Sequence, residues 1–385
     1  LPSLANGLFK QFIKNCKHVF IDEISSVIET FNSDNLFSKT DIEHVYNLLK
    51  IIIKNAECVI VADANINQQT LDFLEACRIG EKFTIVEIAP KNENKTAYLY
   101  NSSEELQKTL LHKVMVENQN LWITCDTKIQ VQTLHAILKD LDIKSIAITG
   151  SENIKKDTSQ FLSNPDAESL KYQVVLSTSV IASGVSIQHE QHFEDHGRGH
   201  FDCVMGFFTG KSVQPTDGYQ MLGRVRYATD FHIYAEQEKK NTMEVLDTLY
   251  GKQQASALED KSTRITAFTI FKTELEKLRE ARRSNFANNL IWILENKLFI
   301  LKRVQHFSAS EQAEFYKNTK KAVKEANREQ IKTAYKINAA TAQRLQLKEY
   351  LSDAEANSLR AYEIRSKLGL DYETELTDEF LNVDI

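Results

Sequence analysis

Two kinds of hydrophobic pattern alternate along the first two thirds of the chain. Short apolar runs predict strands at 19–21, 58–62, 83–89, 97–100, 121–124, 145–149, 172–178, 201–208 and 232–235. Between them, apolar positions at helical spacing predict helices over 41–55, near 68–77, from Ser103, from Lys128, from Asn153 and around Gln220. Strands alternating with helices imply an α/β fold with two parallel-sheet units side by side. The run 19–21 reads as a strand buried on both faces. Beyond about residue 240 the strands stop, and charged amphipathic runs such as 275–283 and 310–335 predict a helical domain.

Composition narrows the class without naming a function. At 385 residues the chain is long enough for two or three domains, each with its own core. With only 12 glycines and 4 prolines, long flexible linkers are not expected. A net charge of −6 gives no global basic signature, so a nucleic acid would have to be held locally, through amides, hydroxyls and a few lysines. The five cysteines include no C-x-x-C pair and read as buried thiols of a reducing compartment. No apolar run is long enough to span a bilayer and the first residues show no leader pattern. A cytoplasmic protein without membrane contact is the expectation.

Two segments carry the chemistry. Near the start, the apolar run 19–21 delivers Asp22 and Glu23 to a strand end; late in the chain stands Gln220-Met221-Leu222-Gly223-Arg224-Val225-Arg226. A nucleoside triphosphate needs one carboxylate to hold Mg²⁺, a second to orient the attacking water, and a cation for the charge on the transferring phosphoryl group. Asp22 suits the metal, Glu23 the water and Arg224 the cation. On a helix, Gln220, Gly223 and Arg224 share one face and Arg226 points to the opposite side. Either segment alone has a plainer explanation, a strand end or a solvated helix face; their order along the chain gives them meaning together.

That order resembles the ATPase core of superfamily 2 helicases and translocases. Val59-Ile60-Val61-Ala62-Asp63-Ala64-Asn65 resembles the motif linking the ATP site to the nucleic-acid groove, in a variant carrying Asp63. The segment 177–187, with Gly184 and Ser186, resembles one that touches both phosphate systems, and Gly184 stands where backbone must approach a ligand. Asp22-Glu23-Ile24-Ser25-Ser26-Val27, Asp63 and Gly223-Arg224-Val225-Arg226 are most similar to replication-initiator helicases, the herpesvirus origin-binding protein and plasmid or phage replication proteins. The resemblance covers about residues 20–235. It implies two RecA-like parallel-sheet domains, 1–95 (truncated) and 96–238, then a helical domain, 239–385. It also implies an ATP- and Mg²⁺-dependent DNA helicase or translocase serving replication, with ATP between the two α/β units.

The same resemblance implies single-stranded nucleic acid, DNA in the first place, as the main partner, with replication proteins as others. Thr124, Thr149, Gly150, Thr178 and Ser179 follow apolar strands of the second unit and are the candidates to hold its phosphates. Asp63, Gly184, Ser186 and Gly223 join the nucleotide site. No G-x-x-x-x-G-K-[ST] loop precedes Asp22, so a chain lacking its opening strand and phosphate loop, inactive by itself, is expected. A degenerate domain that binds without turnover is the alternative. Gly206-Phe207-Phe208-Thr209-Gly210-Lys211-Ser212 is one residue short of that spacing and reads as the loop leading into the arginine motif. His189, His192, His196 and His200 read as a solvated insertion, with zinc binding a lesser alternative.

Overall fold

β1 (His18–Asp22) and β2 (Cys58–Ala62) pair in parallel, with Phe20 beside Ile60 and Asp22 beside Ala62. They belong to the first of two units in the computed structural model, which describes residues 4, 13, 15–32, 41–64, 66–88, 92–150, 156–181, 185–237, 266–304, 310–348 and 351–382. The first unit is Leu1–Ala89 with Lys239–Ser284, the second Pro90–Glu238 with Asn285–Ile385.

In the first unit Ile21, Val59 and Val61 pack with α1 (Ile24–Glu29), α2 (Ile42–Asn55) and α3 (Gln68–Cys77) through Ile24, Ile28, Leu49, Ile53 and Phe73. Phe20 and Ile60, on the other side of the pleat, are 67% and 56% exposed. The first strand is thus covered on one face only, not on both as its apolar run implied. Residues 83–88 form no strand, and Ile85, Val86 and Ile88 are exposed. An apolar run becomes a strand only where a neighbour takes its amides.

The second unit contains β3 (Thr96–Tyr100), α4 (Ser103–Met115), β4 (Leu121–Cys125), α5 (Lys128–Asp140), β5 (Ser145–Ile148), α6 (Lys156–Ser163), α7 (Pro165–Ser169) and β6 (Val174–Ser177). After these come α8 (Glu190–His196), β7 (Cys203–Phe208), α9 (Pro215–Leu222) and β8 (Asp230–Ala235). A further strand, β9 in chain order (Ile300–Arg303), completes a wholly parallel sheet in the order β5-β6-β4-β7-β8-β3-β9. The α/β class and parallel pairing are as the alternation implied.

Alternate residues of the central strands feed two cores, one on each face. Trp122, Val175, Val204, Phe208 and Phe231 lie on one, and Leu121, Ile123, Leu176, Met205 and Phe207 on the other with Leu106, Leu110, Val131 and Leu134 of α4 and α5. Burying each large side chain contributes roughly 1.5–3 kcal/mol. An added Cβ at Gly206 would lie 2.5 Å from the Phe208 ring and 2.9 Å from Leu222. The missing side chain lets α9 lie close on β7, which fixes where the arginine motif begins.

The later helices divide differently from a single domain over 239–385. α10 (Ala267–Ser284) sends Phe268, Phe271 and Leu275 into the core of the first unit, where the Phe268 and Phe271 rings pack tilted against Tyr46, and Arg282 reaches Glu29 at 3.4 Å. α11 (Phe286–Asn296) and β9 instead extend the second unit's layer and sheet. α12 (Ser310–Lys332), α13 (Ala339–Gln346), α14 (Asp353–Lys367) and a last turn, Asp378–Leu381, complete that unit with two small cores of their own. β9 also corrects the expectation that strands end near 240. Among the described residues, no helix is long and apolar enough to cross a membrane.

Candidate functional site

The carboxylates sit where a parallel pair ends. Asp22 closes β1 beside Ala62, and Asp63 follows on the neighbouring strand. Glu23 adopts φ 52°, ψ 50°, a left-handed conformation that costs a residue with a side chain about 1–2 kcal/mol. Its amide donates to Asp22 Oδ1 at 3.1 Å, which fixes the Asp22 carboxylate against the turn. α1 starts at once, and the Ser25 amide donates to Asp63 Oδ2 at 2.7 Å. A carboxylate is favoured at such a helix start. Ser25 Oγ also meets Thr70 Oγ1 at 3.0 Å, tying α1 to α3. Asp63 therefore braces the turn that presents Asp22 and Glu23; the sequence placed it among the nucleotide ligands.

The arginine motif is not one continuous helix. α9 ends at Leu222, and Gly223 is its cap, donating to the Tyr219 carbonyl at 3.1 Å. A Cβ at Gly223 would make only ordinary contacts, so no close backbone approach requires glycine there. Beyond the cap the chain turns, and Val225 makes an isolated parallel bridge to Ile187, with Ile187 N donating to Arg224 O at 2.9 Å and Arg226 N to Ile187 O at 3.0 Å. Arg224 is 8% exposed, its Nε on the Gln220 carbonyl at 2.9 Å and its Nη1 on the Val185 carbonyl at 3.0 Å. Arg226 is exposed, with Nε on Ser186 Oγ at 3.1 Å. Helical geometry therefore does not set the two arginines relative to one another; one is buried and one exposed, and both are fastened to segment 185–187. Gly184 lies outside the described residues.

A second cation stands near Arg226. The Lys95 ammonium lies 5.9 Å and 5.8 Å from the ring centres of Phe231 and Phe299. Its pKa is lowered by burial and, secondarily, by the Arg226 charge.

Of the hydroxyls assigned to a nucleic-acid strand, the structure brings most together and withdraws one. β5 and β6 pair with Ile148 beside Ser177, so Thr149, Gly150, Thr178 and Ser179 lie next to one another past the strand ends. The Gly150 amide donates to Thr178 Oγ1 at 3.3 Å, and the Thr178 amide to Ile148 O at 3.0 Å. Thr178 is buried, Thr149 half-buried, Gly150 and Ser179 exposed. Thr124 is wholly buried inside β4 with an unpartnered hydroxyl, so it has no surface to offer a strand.

Asp126, which the sequence reading passed over, organises the loop between β7 and α9. Its carboxylate accepts from Thr209 N and Thr209 Oγ1, both at 2.9 Å, and from Lys211 N at 3.3 Å. Its backbone carbonyl accepts from Ser212 Oγ. Burial raises its pKa, and the Thr209 bonds oppose the rise. The Thr209 and Lys211 amides of the Gly206–Ser212 near-match to a phosphate loop are thus already engaged by an internal carboxylate. The only hint was Asp126 directly after an apolar strand.

The histidine segment is less solvated than its composition suggests. His189 is buried, with Nδ1 2.8 Å from the Tyr227 hydroxyl and Nε2 2.8 Å from Ser169 Oγ, while Asp166 accepts from the amides of Gln188 and His189 at 2.8 and 2.9 Å. His192 and His200 are half-buried and His196 is exposed. Among the described residues, no group of three or more His, Cys, Asp or Glu is placed to hold a metal. Burial pushes His189 down to about 4, and likewise His232, whose Nδ1 lies 2.8 Å from the Tyr100 hydroxyl.

Because the unfolded rings titrate near 6.5, the unfolded state binds more protons between about pH 6.5 and pH 4, and stability falls as pH falls through that window. The loss approaches about 1 kcal/mol per pH unit for each ring near pH 5. Urea midpoints of the second unit should therefore drop from pH 7 to pH 5, and His232→Gln should flatten the dependence. A pH-independent midpoint would show that these rings titrate normally.

No protein-family model matches the chain. Among curated proteins it is similar to the "Putative helicase/primase complex protein" of African swine fever virus, 23% identical over 211 residues, covering 54% of this chain and 19% of that protein. It is similar also to the replication origin-binding protein of human herpesvirus 7, 23% identical over 230 residues, covering 57% of this chain and 27% of that one. The match thus spans about a fifth to a quarter of the length of these relatives. Among solved structures, S. cerevisiae Dbp5 bound to RNA and ADP BeF3 has a TM-score of 0.43 at 13% identity, covering 79% of this chain and 63% of that one; this adds nothing to the fold already described. The resemblance carried by Asp22-Glu23, Asp63 and Gly223–Arg226 is the one the curated relatives bear out: the chain is similar to viral helicase and origin-binding proteins of DNA replication.

Proposed function

We propose that the chain is the core of an ATP-dependent DNA helicase or translocase serving the replication of a virus, plasmid or other mobile element. The observation that carries this reading is the pair Asp22 and Glu23 at the carboxyl edge of a parallel sheet, where ligands of open α/β sheets gather, with Glu23 held in a strained conformation. Carboxylate oxygens suit a hard cation, and Asp22, exposed at the strand end, is the residue that would hold Mg²⁺. Mg²⁺ would neutralise charge on the triphosphate. Glu23 orients the attacking water and takes its proton. In the second unit Arg226 is the candidate cation for phosphoryl charge, and Arg224 fixes segment 185–187, to which Arg226 is bonded.

A module that binds nucleic acid without turnover is the second reading, favoured by the Asp126 clamp on the one loop that approaches phosphate-loop spacing. Both readings place single-stranded DNA on Thr149, Gly150 and Ser179, with Thr178 bracing Gly150. In anisotropy titrations with a labelled oligonucleotide, Thr149→Val and Ser179→Ala are each expected to weaken binding about fivefold, the worth of one phosphate hydrogen bond near 1 kcal/mol. Unchanged affinity in both variants would remove the strand from this edge.

A further inference from the structure

α12 carries a row of lysines that none of the proposed chemistry uses. It is fixed within the second unit: Tyr316 packs into the core shared with α4 and α5, and Asn327 Nδ2 donates to Gln132 Oε1 of α5 at 2.9 Å. At about 100° per residue, Lys317, Lys320 and Lys324 fall within some 60° of one another, and the row is about 10 Å long. Neighbouring cations are neutralised, Lys321 by Glu325 at 3.8 Å and Lys332 by Asp378 at 2.7 Å. Among the described residues, Lys317, Lys320 and Lys324 have no ion-pair partner.

Lys211 meets this row from a different element. It stands on the loop after β7 whose amides Asp126 holds, so its position is set by the sheet and not by α12. Lys320 lies 5.9 Å from the centre of the Tyr316 ring, and its pKa is lowered by burial, then by the charges of Lys324 and Lys211, with Glu236 opposing them. Like charges brought together repel unless an anion is shared between them. Lys211 also follows β7 at the carboxyl edge of the all-parallel sheet, the edge that carries Thr149 and Ser179.

We propose that Lys211 and the Lys317, Lys320, Lys324 face of α12 continue the nucleic-acid track, holding the phosphates of the same single strand beyond the hydroxyls of β5 and β6. The proposal rests on the single-strand reading above. A continuous row of cations on a helix with no apolar anchor among them suits a phosphate backbone better than a folded protein partner.

The test is Lys317→Gln with Lys324→Gln in the full chain, both lysines being exposed, titrated against a labelled single-stranded oligonucleotide at several salt concentrations. The expected result is binding about tenfold weaker at low salt. The slope of log affinity against log salt should shrink by about 1.4, at roughly 0.7 per phosphate contact on a single strand. The same pair of changes at Lys139 and Lys367, on α5 and α14, should leave both quantities as in the wild type. Wild-type binding with an unchanged slope in the Lys317, Lys324 variant overturns the α12 track and leaves the hydroxyl edge standing. No salt-dependent binding by the wild type overturns both.

Discussion

Arg226→Ala is expected to lower ATP turnover by on the order of 10³ or more while leaving the unfolding of the second unit unchanged, and Arg224→Ala to lower both. Arg226 is exposed, and its one described bond is to Ser186 Oγ at 3.1 Å, so its removal leaves no buried group unpaired. Arg224 is buried against two carbonyls, Gln220 at 2.9 Å and Val185 at 3.0 Å. Truncating it strands both, and each unpaired buried acceptor costs about 1–3 kcal/mol. Turnover, measured on a form of the protein that hydrolyses ATP, would then fall in Arg224→Ala because segment 185–187 loses its anchor and Arg226 its aim. Arg224→Lys, which lacks the planar fork, should recover only part of the stability. An Arg224→Ala variant as stable as wild type would show that the guanidinium is not a strut. Turnover intact in Arg226→Ala would remove that residue from the chemistry.

This division of labour was only half legible in the sequence, and the reason is local. Gly223 is a helix-ending residue in the midst of the motif, yet spacing alone carried the helix through it and set Arg226 opposite Arg224. The partner that overrides the spacing, Val185 to Ile187, is about forty positions away, and a single sequence does not show that its backbone pairs with Val225. Distance along the chain hid other residues too. Asp126 acts on Thr209 and Lys211, and His189 on Ser169 and Tyr227, pairs that no periodicity announces.

The strands at 121–125, 174–177 and 203–208 were legible because both faces are buried and every residue is apolar or small. β9 was not: Ile300–Arg303 is an edge strand with charged residues, recognisable only by its pairing with β3. The run 83–89 has the same apolar pattern, yet its described part, 83–88, pairs with no strand and stays irregular. Thr124 shows the limit of placing ligands by strand ends. It stands one residue before the end of β4, and that residue's difference takes its hydroxyl from the edge into the core.

Glu23→Gln is expected to leave ATP binding intact and to cut turnover by roughly 10²–10⁴, the usual worth of a general base, since glutamine keeps the shape but cannot accept the proton of the attacking water. Stability should not change, because glutamine meets the same left-handed backbone at φ 52°. Glu23→Gly separates strain from chemistry. It loses turnover equally, but relieves the roughly 1–2 kcal/mol of that conformation against about 0.5–1 kcal/mol of added chain entropy, so the first unit should unfold at slightly higher denaturant. A functional site that stores strain is the arrangement in which activity and stability move in opposite directions on one substitution. Asp22→Asn should behave differently from both, weakening Mg²⁺-dependent nucleotide binding itself, because Asp22 is the exposed carboxylate at the strand end. Isothermal titration with ATP and Mg²⁺ beside steady-state hydrolysis reads these effects separately. Wild-type turnover in Glu23→Gln would transfer the role of base to another carboxylate and sink the assignment made from the strand end.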